Sequence, residues 1–162
     1  METEKEYSYM KWLDVEEMHE QSKKWFSELS FIKDEQQFLN NLIQSFAIKP
    51  VDKTEFAQIS DFKKGIAENQ QRLNTLFKQV QKHMNQLEIL TDDVNQLEME
   101  KAYHKTHKKL SQRMDKYLLD YRAVKQRGFA KLASILKTGK RKVALGNPDY
   151  KLSAIQKEKL KS

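Results

Sequence analysis

Apolar residues recur every three or four positions along most of the chain, a spacing that predicts long amphipathic helices. In the first helix, predicted over residues 14–47, seven of nine positions in this alternation are apolar. The second helix, predicted over residues 53–98, has ten apolar residues at twelve such positions. These recurring positions form the seam of the helix. Two seam residues, Asn69 and His83, are polar and are of the kind that fixes the register or number of packed helices.

The starts of the first two helices carry the same local signal. Asp14 stands three residues before Glu17, and Asp52 likewise stands three residues before a glutamate. This spacing is typical of a capping box, in which the acidic side chain accepts hydrogen bonds from backbone N–H groups of the first turn. Pro50 disfavours helical geometry in the residue before it, so we expect a turn over residues 48–51.

A third helix is predicted from a change of phase in the apolar pattern. The seam of the second helix becomes polar after residue 98, and a new apolar phase runs from Tyr103 to Val124. We therefore expect a helix over residues 103–138 that folds back on the others, because an isolated helix would leave its apolar stripe in water. Two alternatives remain: one straight helix with a skip in the seam, or a turn at residues 91–93, which the seam crosses undisturbed.

The predicted fold class is all-α, an elongated antiparallel three-helix coiled-coil bundle within a single unit, residues 1–138. Gly139 is expected to end the third helix. Residues 139–162 are expected to form a flexible basic tail, since they contain the turn signal Gly146-Asn147-Pro148 and few apolar residues.

Composition narrows the classes of protein that remain. The 162 residues include four glycines, two prolines and no cysteine. Such a composition argues against a loop-rich β fold and excludes disulfides and thiolate metal sites. We find no apolar run long enough for a membrane span and no apolar segment typical of a secretory signal near the N-terminus, so we expect a cytoplasmic protein.

Charge is unevenly distributed, with a net −7 over residues 1–100 and +14 over residues 101–162. A helical wheel places several cations of the third helix away from its apolar seam, and further cations follow in the tail. Such a basic stripe suits sequence-nonspecific binding of nucleic acid or of an anionic surface, although a solvated helix face is the alternative. The residues concerned are Lys105, Lys108, Lys109, Lys116, Arg127, Lys140, Arg141 and Lys142.

The first helix carries more apolar residues than one packed stripe requires. Phe31 and Phe38 share a direction away from the main stripe, and Leu42 lies between that direction and the stripe. A second apolar face is typical of a surface that binds a partner. We expect it to be covered by a second copy of the chain or another helical protein, or else by the N-terminal segment, residues 7–12.

Catalytic chemistry has little support in the sequence. Neither a nucleophile elbow nor a glycine-rich phosphate loop is present. Glu16 and His19 have the spacing found in di-iron bundles but lack a second such pair. Glu100, His104 and His107 could share one helix face and hold zinc with a fourth ligand from elsewhere, but they fall at the predicted turn, where regular helix geometry is not expected. We therefore predict no catalytic residue, cofactor, metal site or small-molecule substrate.

Residues 25–43, WFSELSFIKDEQQFLNNLI, resemble the opening helix of small uncharacterised bacterial coiled-coil proteins. Those proteins are similar in their order of elements too, with an aromatic-rich first helix, a long heptad helix and a basic third helix. The resemblance covers residues 12–138 and implies a helical bundle without implying any activity. The resulting expectation is a non-enzymatic interaction or scaffold protein that acts through the apolar face of its first helix.

Overall fold

Three helices account for nearly all of the structure. The computed structural model describes residues 14–48, 51–91 and 97–144. Helix α1 spans Val15–Ala47, α2 spans Lys53–Thr91 and α3 spans Leu97–Ala144, and the described residues contain no strand. The all-α, three-helix prediction is therefore confirmed. Over these ranges none of the helices is both long enough and apolar enough to cross a lipid bilayer.

The described residues divide into two compact units, and each helix contributes a segment to both. The first unit contains residues up to 37 and residues 68–121, and the second contains residues 38–67 and those from 122 onward. In the first unit, later residues of α1 pair with later residues of α3, whereas later residues of α2 pair with earlier residues of α3. Four hydrogen bonds show this arrangement: those of Gln21 with His107 and of Glu35 with Tyr121 join α1 to α3, and those of Arg72 with Asp120 and of His83 with His107 join α2 to α3. Thus α2 runs antiparallel to α3, and α1 runs parallel to it.

Both predicted helix starts are capped by the expected aspartates. The backbone N–H of Glu17 donates to Oδ1 of Asp14 at 2.8 Å, and that of Glu55 donates to Oδ1 of Asp52 at 2.7 Å. Each bond satisfies a donor that has no partner within its own helix. Pro50, on which the predicted turn rests, lies outside the described residues.

The connection between α2 and α3 differs from the prediction. Helix α2 ends at Thr91 rather than at residue 98, and α3 begins at Leu97 rather than at residue 103. The end of α2 thus falls at the start of the alternative turn at residues 91–93, which the unbroken seam argued against, and residues 92–96 lie outside the described residues. Threonine and aspartate side chains compete for backbone hydrogen bonds, a local effect that the heptad pattern does not report.

The end of α3 also differs from the prediction. The helix continues to Ala144, past the predicted end at Gly139, so residues 139–144 of the predicted tail are helical. Gly139 is buried and falls four residues after the buried Ile135. It therefore occupies the helix seam and is not the helix-ending residue. The rest of the predicted tail, residues 145–162, lies outside the described residues.

The predicted seam positions form the cores of both units. In α1 every one of them except the half-buried Trp25 is buried, and in α2 every described one is buried. The apolar core of the first unit consists of Met18, Leu29, Ile32, Leu73, Leu76, Val80, Leu87, Leu90, Leu110, Met114, Tyr117 and Tyr121. The core of the second consists of Leu39, Ile43, Phe46, Ile59, Phe62, Ile66, Leu132 and Ile135.

Two glycines let α2 and α3 approach each other closely in the second unit. A Cβ on Gly128 would lie 2.4 Å from ring atoms of Phe62, whereas a Cβ on Gly65 would lie 3.3 Å from a methyl group of Val124. The Phe62 ring also meets Phe129 edge-on, with centroids 6.0 Å apart. The ring therefore occupies the space that a side chain at position 128 would need.

Candidate functional site

A chain of polar side chains crosses the core of the first unit, with one residue from each helix. His83 Nε2 of α2 lies 2.9 Å from His107 Nδ1 of α3, and His107 Nε2 lies 2.7 Å from Gln21 Oε1 of α1. Both histidines are buried, and Trp25 stacks on the His107 ring with centroids 4.6 Å apart. We call these three hydrogen-bonded residues, Gln21, His107 and His83, the histidine chain.

Each hydrogen bond of the histidine chain is donated in the direction of Gln21. Gln21 Oε1 can only accept, so His107 Nε2 carries the proton and donates to it. His107 Nδ1 is then an acceptor and takes the proton of His83 Nε2. The chain ends at Nδ1 of His83, a buried acceptor without a hydrogen-bond partner in the described part of the protein.

Burial keeps both rings of the histidine chain neutral. Loss of hydration lowers the pKa of His83 to about 4. Burial, reinforced by the adjacent His83 and His104 rings, lowers the pKa of His107 to about 3. A charge on either ring would lie in the core. In the described part of the unit, neither ring is hydrogen-bonded to a carboxylate.

A second polar cluster also takes one residue from each helix of the first unit. Gln36 Nε2 donates to Asn69 Oδ1 at 2.7 Å, and the Tyr117 hydroxyl donates to the same oxygen at 2.6 Å. All three residues are buried, and burial raises the pKa of Tyr117. Asn69 and His83 thus form polar contacts between helices of one chain, as residues that fix helix register do.

The cations of the predicted basic stripe lie on different flanks of α3. Lys109 and Lys116 are exposed and line the groove between α2 and α3, whereas Lys105 is exposed outside it and Lys108 is half-buried. Arg127 is exposed in the second unit. The side chains of Lys140, Arg141 and Lys142 lie outside the described residues.

Sequence reasoning missed the contribution of α2 to this groove. Lys82 of α2 and Arg113 of α3 line it together with Lys109, and Arg113 donates to Gln79 Oε1 at 2.9 Å. Lys82 precedes the seam residue His83, and Lys109 precedes the seam residue Leu110. Because α2 and α3 are antiparallel, a search for cations directly before seam residues on both helices would have found these two lysines.

The predicted apolar face of α1 lies outside the core. Phe31 is 66% exposed in the first unit, and Phe38 is 65% exposed in the second. Leu42, in the second unit, is half-buried. The N-terminal residues considered as a cover lie outside the described residues.

The residues considered for metal binding are placed differently from one another. In the first candidate set, Glu16 is exposed and His19 is half-buried. In the second, His107 hydrogen-bonds His83 and Gln21 in the core, whereas Glu100 and His104 are half-buried. Among the described residues, no group of three or more histidine and carboxylate side chains is arranged to hold a metal ion.

Comparison with known proteins yields no match: no family model, no curated protein and no solved structure matches the chain.

Proposed function

We propose that this chain is a non-enzymatic interaction protein that self-associates through the exposed aromatic residues of α1. The observation that carries the proposal is the exposure of Phe31 and Phe38, each about two-thirds accessible on a helix whose seam positions already fill the core. Burying an aromatic side chain of this size contributes roughly 2 kcal/mol. Exposed apolar surface beyond the core is characteristic of partner-binding surfaces.

Charge favours α3 of a second copy as the partner of this face. Six acidic and three basic residues lie on α1, whereas α3 has four acidic and fourteen basic residues. Helix α3 also exposes an apolar residue, Leu119, at 67%. A contact between α1 of one copy and α3 of another would combine apolar burial with opposite charges.

Sedimentation analysis at tens of micromolar protein tests the proposal. We expect the parent protein to associate, and Phe31→Glu together with Phe38→Glu to weaken association without loss of helicity. Leu119→Glu should have the same effect. Ile89→Glu is the matched control, because Ile89 is 70% exposed but lies on α2. A monomeric parent protein would refute the proposal, as would equal effects of the α1 substitutions and the control.

The second candidate function is sequence-nonspecific binding of nucleic acid through the basic residues of α3. The specific observation in its favour is that Lys109 and Lys116 line a groove to which α2 adds further cations. Binding should weaken steeply with salt, because cations that neutralise phosphates release counterions. Undetectable binding of a single-stranded oligonucleotide at low salt would refute this function.

A further inference from the structure

Two adjoining depressions form a basic groove between α2 and α3 of the first unit. Their volumes are about 490 and 360 Å³, and both are lined by Gln79 and Arg113. The smaller one is also lined by Lys82 and Lys109, and the larger one by Arg72 and Lys116. We call the two depressions together the basic groove.

Cations outnumber carboxylates along the basic groove. No aspartate or glutamate is among the described residues that line the smaller depression. Glu68 lines the larger one, where Arg72 is paired with Asp120 at 2.9 Å. Four cationic side chains besides Arg72 therefore face the groove, and an anionic ligand would meet little repulsion there.

The spacing of these cations fits a chain of phosphates better than one phosphate. Lys109 and Lys116 are seven residues apart on α3, about 10 Å at the helical rise of 1.5 Å per residue. Successive phosphates of a stacked helical strand advance about 3.4 Å along its axis, so this length spans about three steps, that is, about four phosphates. Tyr103, half-buried at the smaller depression, supplies a ring on which a base can stack.

The histidine chain ends beside this groove. His83 lines the smaller depression, and its buried Nδ1 has no hydrogen-bond partner in the described part of the protein. An acceptor that enters the smaller depression deeply enough to reach this nitrogen would pair with it once the chain reverses direction. In the reversed chain the Gln21 amide has rotated by about 180° so that its Nε2 donates to His107 Nε2, His107 Nδ1 donates to His83 Nε2, and His83 Nδ1 donates to the acceptor. Both rings stay neutral throughout, so reversal places no charge in the core.

We propose that the basic groove binds the phosphate groups of a single nucleic-acid strand, with Lys82, Lys109, Arg113 and Lys116 as the phosphate-binding cations. This inference rests on the second proposed function and moves its site from the outer face of α3 to the junction of α3 with α2. It also names His83 as the residue that reports occupancy of the groove.

The test compares two double variants in binding to a thymidine 12-mer over a range of salt concentrations. Lys82→Gln with Lys109→Gln removes two cations that line the groove, whereas Lys101→Gln with Lys105→Gln removes two exposed cations of the same unit that do not line it. With about four phosphates neutralised, the parent slope of log K against log salt should be about −3. The variant with Lys82→Gln and Lys109→Gln, the groove variant, should bind about tenfold more weakly at low salt, with a slope reduced by about 1.4. The variant with Lys101→Gln and Lys105→Gln, the outer variant, should keep most of the parent affinity and slope.

Each outcome identifies which proposal fails. If the parent protein does not bind the 12-mer, both the second function and this inference are wrong. If the outer variant weakens binding as much as the groove variant or more, the second function still holds, but the basic groove is not its site. Inorganic tripolyphosphate is a second probe. We expect it to displace the 12-mer at comparable phosphate concentration, because the proposed contacts are with phosphate groups. Failure to displace the 12-mer would contradict a groove that binds phosphate.

A spectroscopic readout separates groove binding from general attraction to a basic protein. Nitrogen-15 shifts of histidine rings distinguish the Nδ1–H from the Nε2–H tautomer. We expect His83 and His107 to change from Nε2–H to Nδ1–H when the 12-mer binds, and to stay in the Nε2–H form in the groove variant. Unchanged tautomers in a saturated complex would contradict the role of His83.

Discussion

The buried pair of His83 and His107 makes the stability of the first unit depend on pH. Burial lowers the pKa values of these rings to about 4 and about 3, whereas histidine in an unfolded chain titrates near 6.5. Between these values the unfolded chain binds more protons than the folded one, so the free energy of unfolding decreases as the pH falls below about 6.5. The loss stops growing once the pH is below the folded-state pKa values.

The magnitude follows from the separation of the pKa values. One pH unit within this window is worth about 1.4 kcal/mol per histidine, so at pH 5 each ring removes about 2 kcal/mol and the two together about 4 kcal/mol. That loss is a large fraction of the stability of an ordinary domain, about 5–15 kcal/mol. We therefore expect the parent protein to be markedly less stable at pH 5 than at pH 8.

Urea denaturation followed by circular dichroism at pH 8 and pH 5 measures this effect. The comparison protein carries His83→Gln with His107→Gln, which removes both titrating rings while leaving every carboxylate in place. Its loss of stability between the two pH values gives the contribution of all other groups. The parent protein should lose about 4 kcal/mol more than the variant. Equal losses in the two proteins would show that the rings are not buried as neutral groups and would refute the reasoning.

Four further substitutions test packing, polar contacts and capping. Gly128→Ala should destabilise the protein by about 1–3 kcal/mol in thermal denaturation, because the added methyl group meets the Phe62 ring. Gly65→Ala should be clearly less destabilising, because Val124 would have to move by only a few tenths of an ångström, and equal effects at the two glycines would contradict the packing described. Asn69→Leu removes the oxygen that accepts two buried hydrogen bonds and should cost about 1–3 kcal/mol in urea denaturation, and an unchanged midpoint would contradict this. Asp52→Ala should cost about 1 kcal/mol and expose the first turn of α2 to faster amide hydrogen exchange, and unchanged exchange there would show that the cap contributes nothing.

Local signals in the sequence predicted the fold well where the determining interactions are local. The capping aspartates Asp14 and Asp52 act within three residues of themselves, and both helix starts agree with the structure. The three-four alternation predicted burial equally well, since it depends only on helix geometry. The end of α2 was predicted less well, because an apolar alternation can run past a break and Thr91 gives no decisive signal.

The candidate sites depend on pairing between helices, which the sequence does not contain in readable form. A helical wheel places Lys105 and Lys109 close together, but only the position of α2 makes Lys109 a groove residue and leaves Lys105 outside. Likewise, His83 and His107 are each recognisable as polar seam residues. Their contact requires the register of α2 against α3, which long-range packing determines.

The two polar clusters of the first unit limit how the chain can change in length. Asn69 and His83 lie two heptads apart on α2, and each has its own partners on the other helices. Deleting one heptad between them preserves every apolar repeat, yet only one of the two clusters can then remain aligned with its partners. An insertion or deletion within this segment is therefore tolerated only with compensating changes in both neighbouring helices, and evolution or design can lengthen this protein more easily outside it.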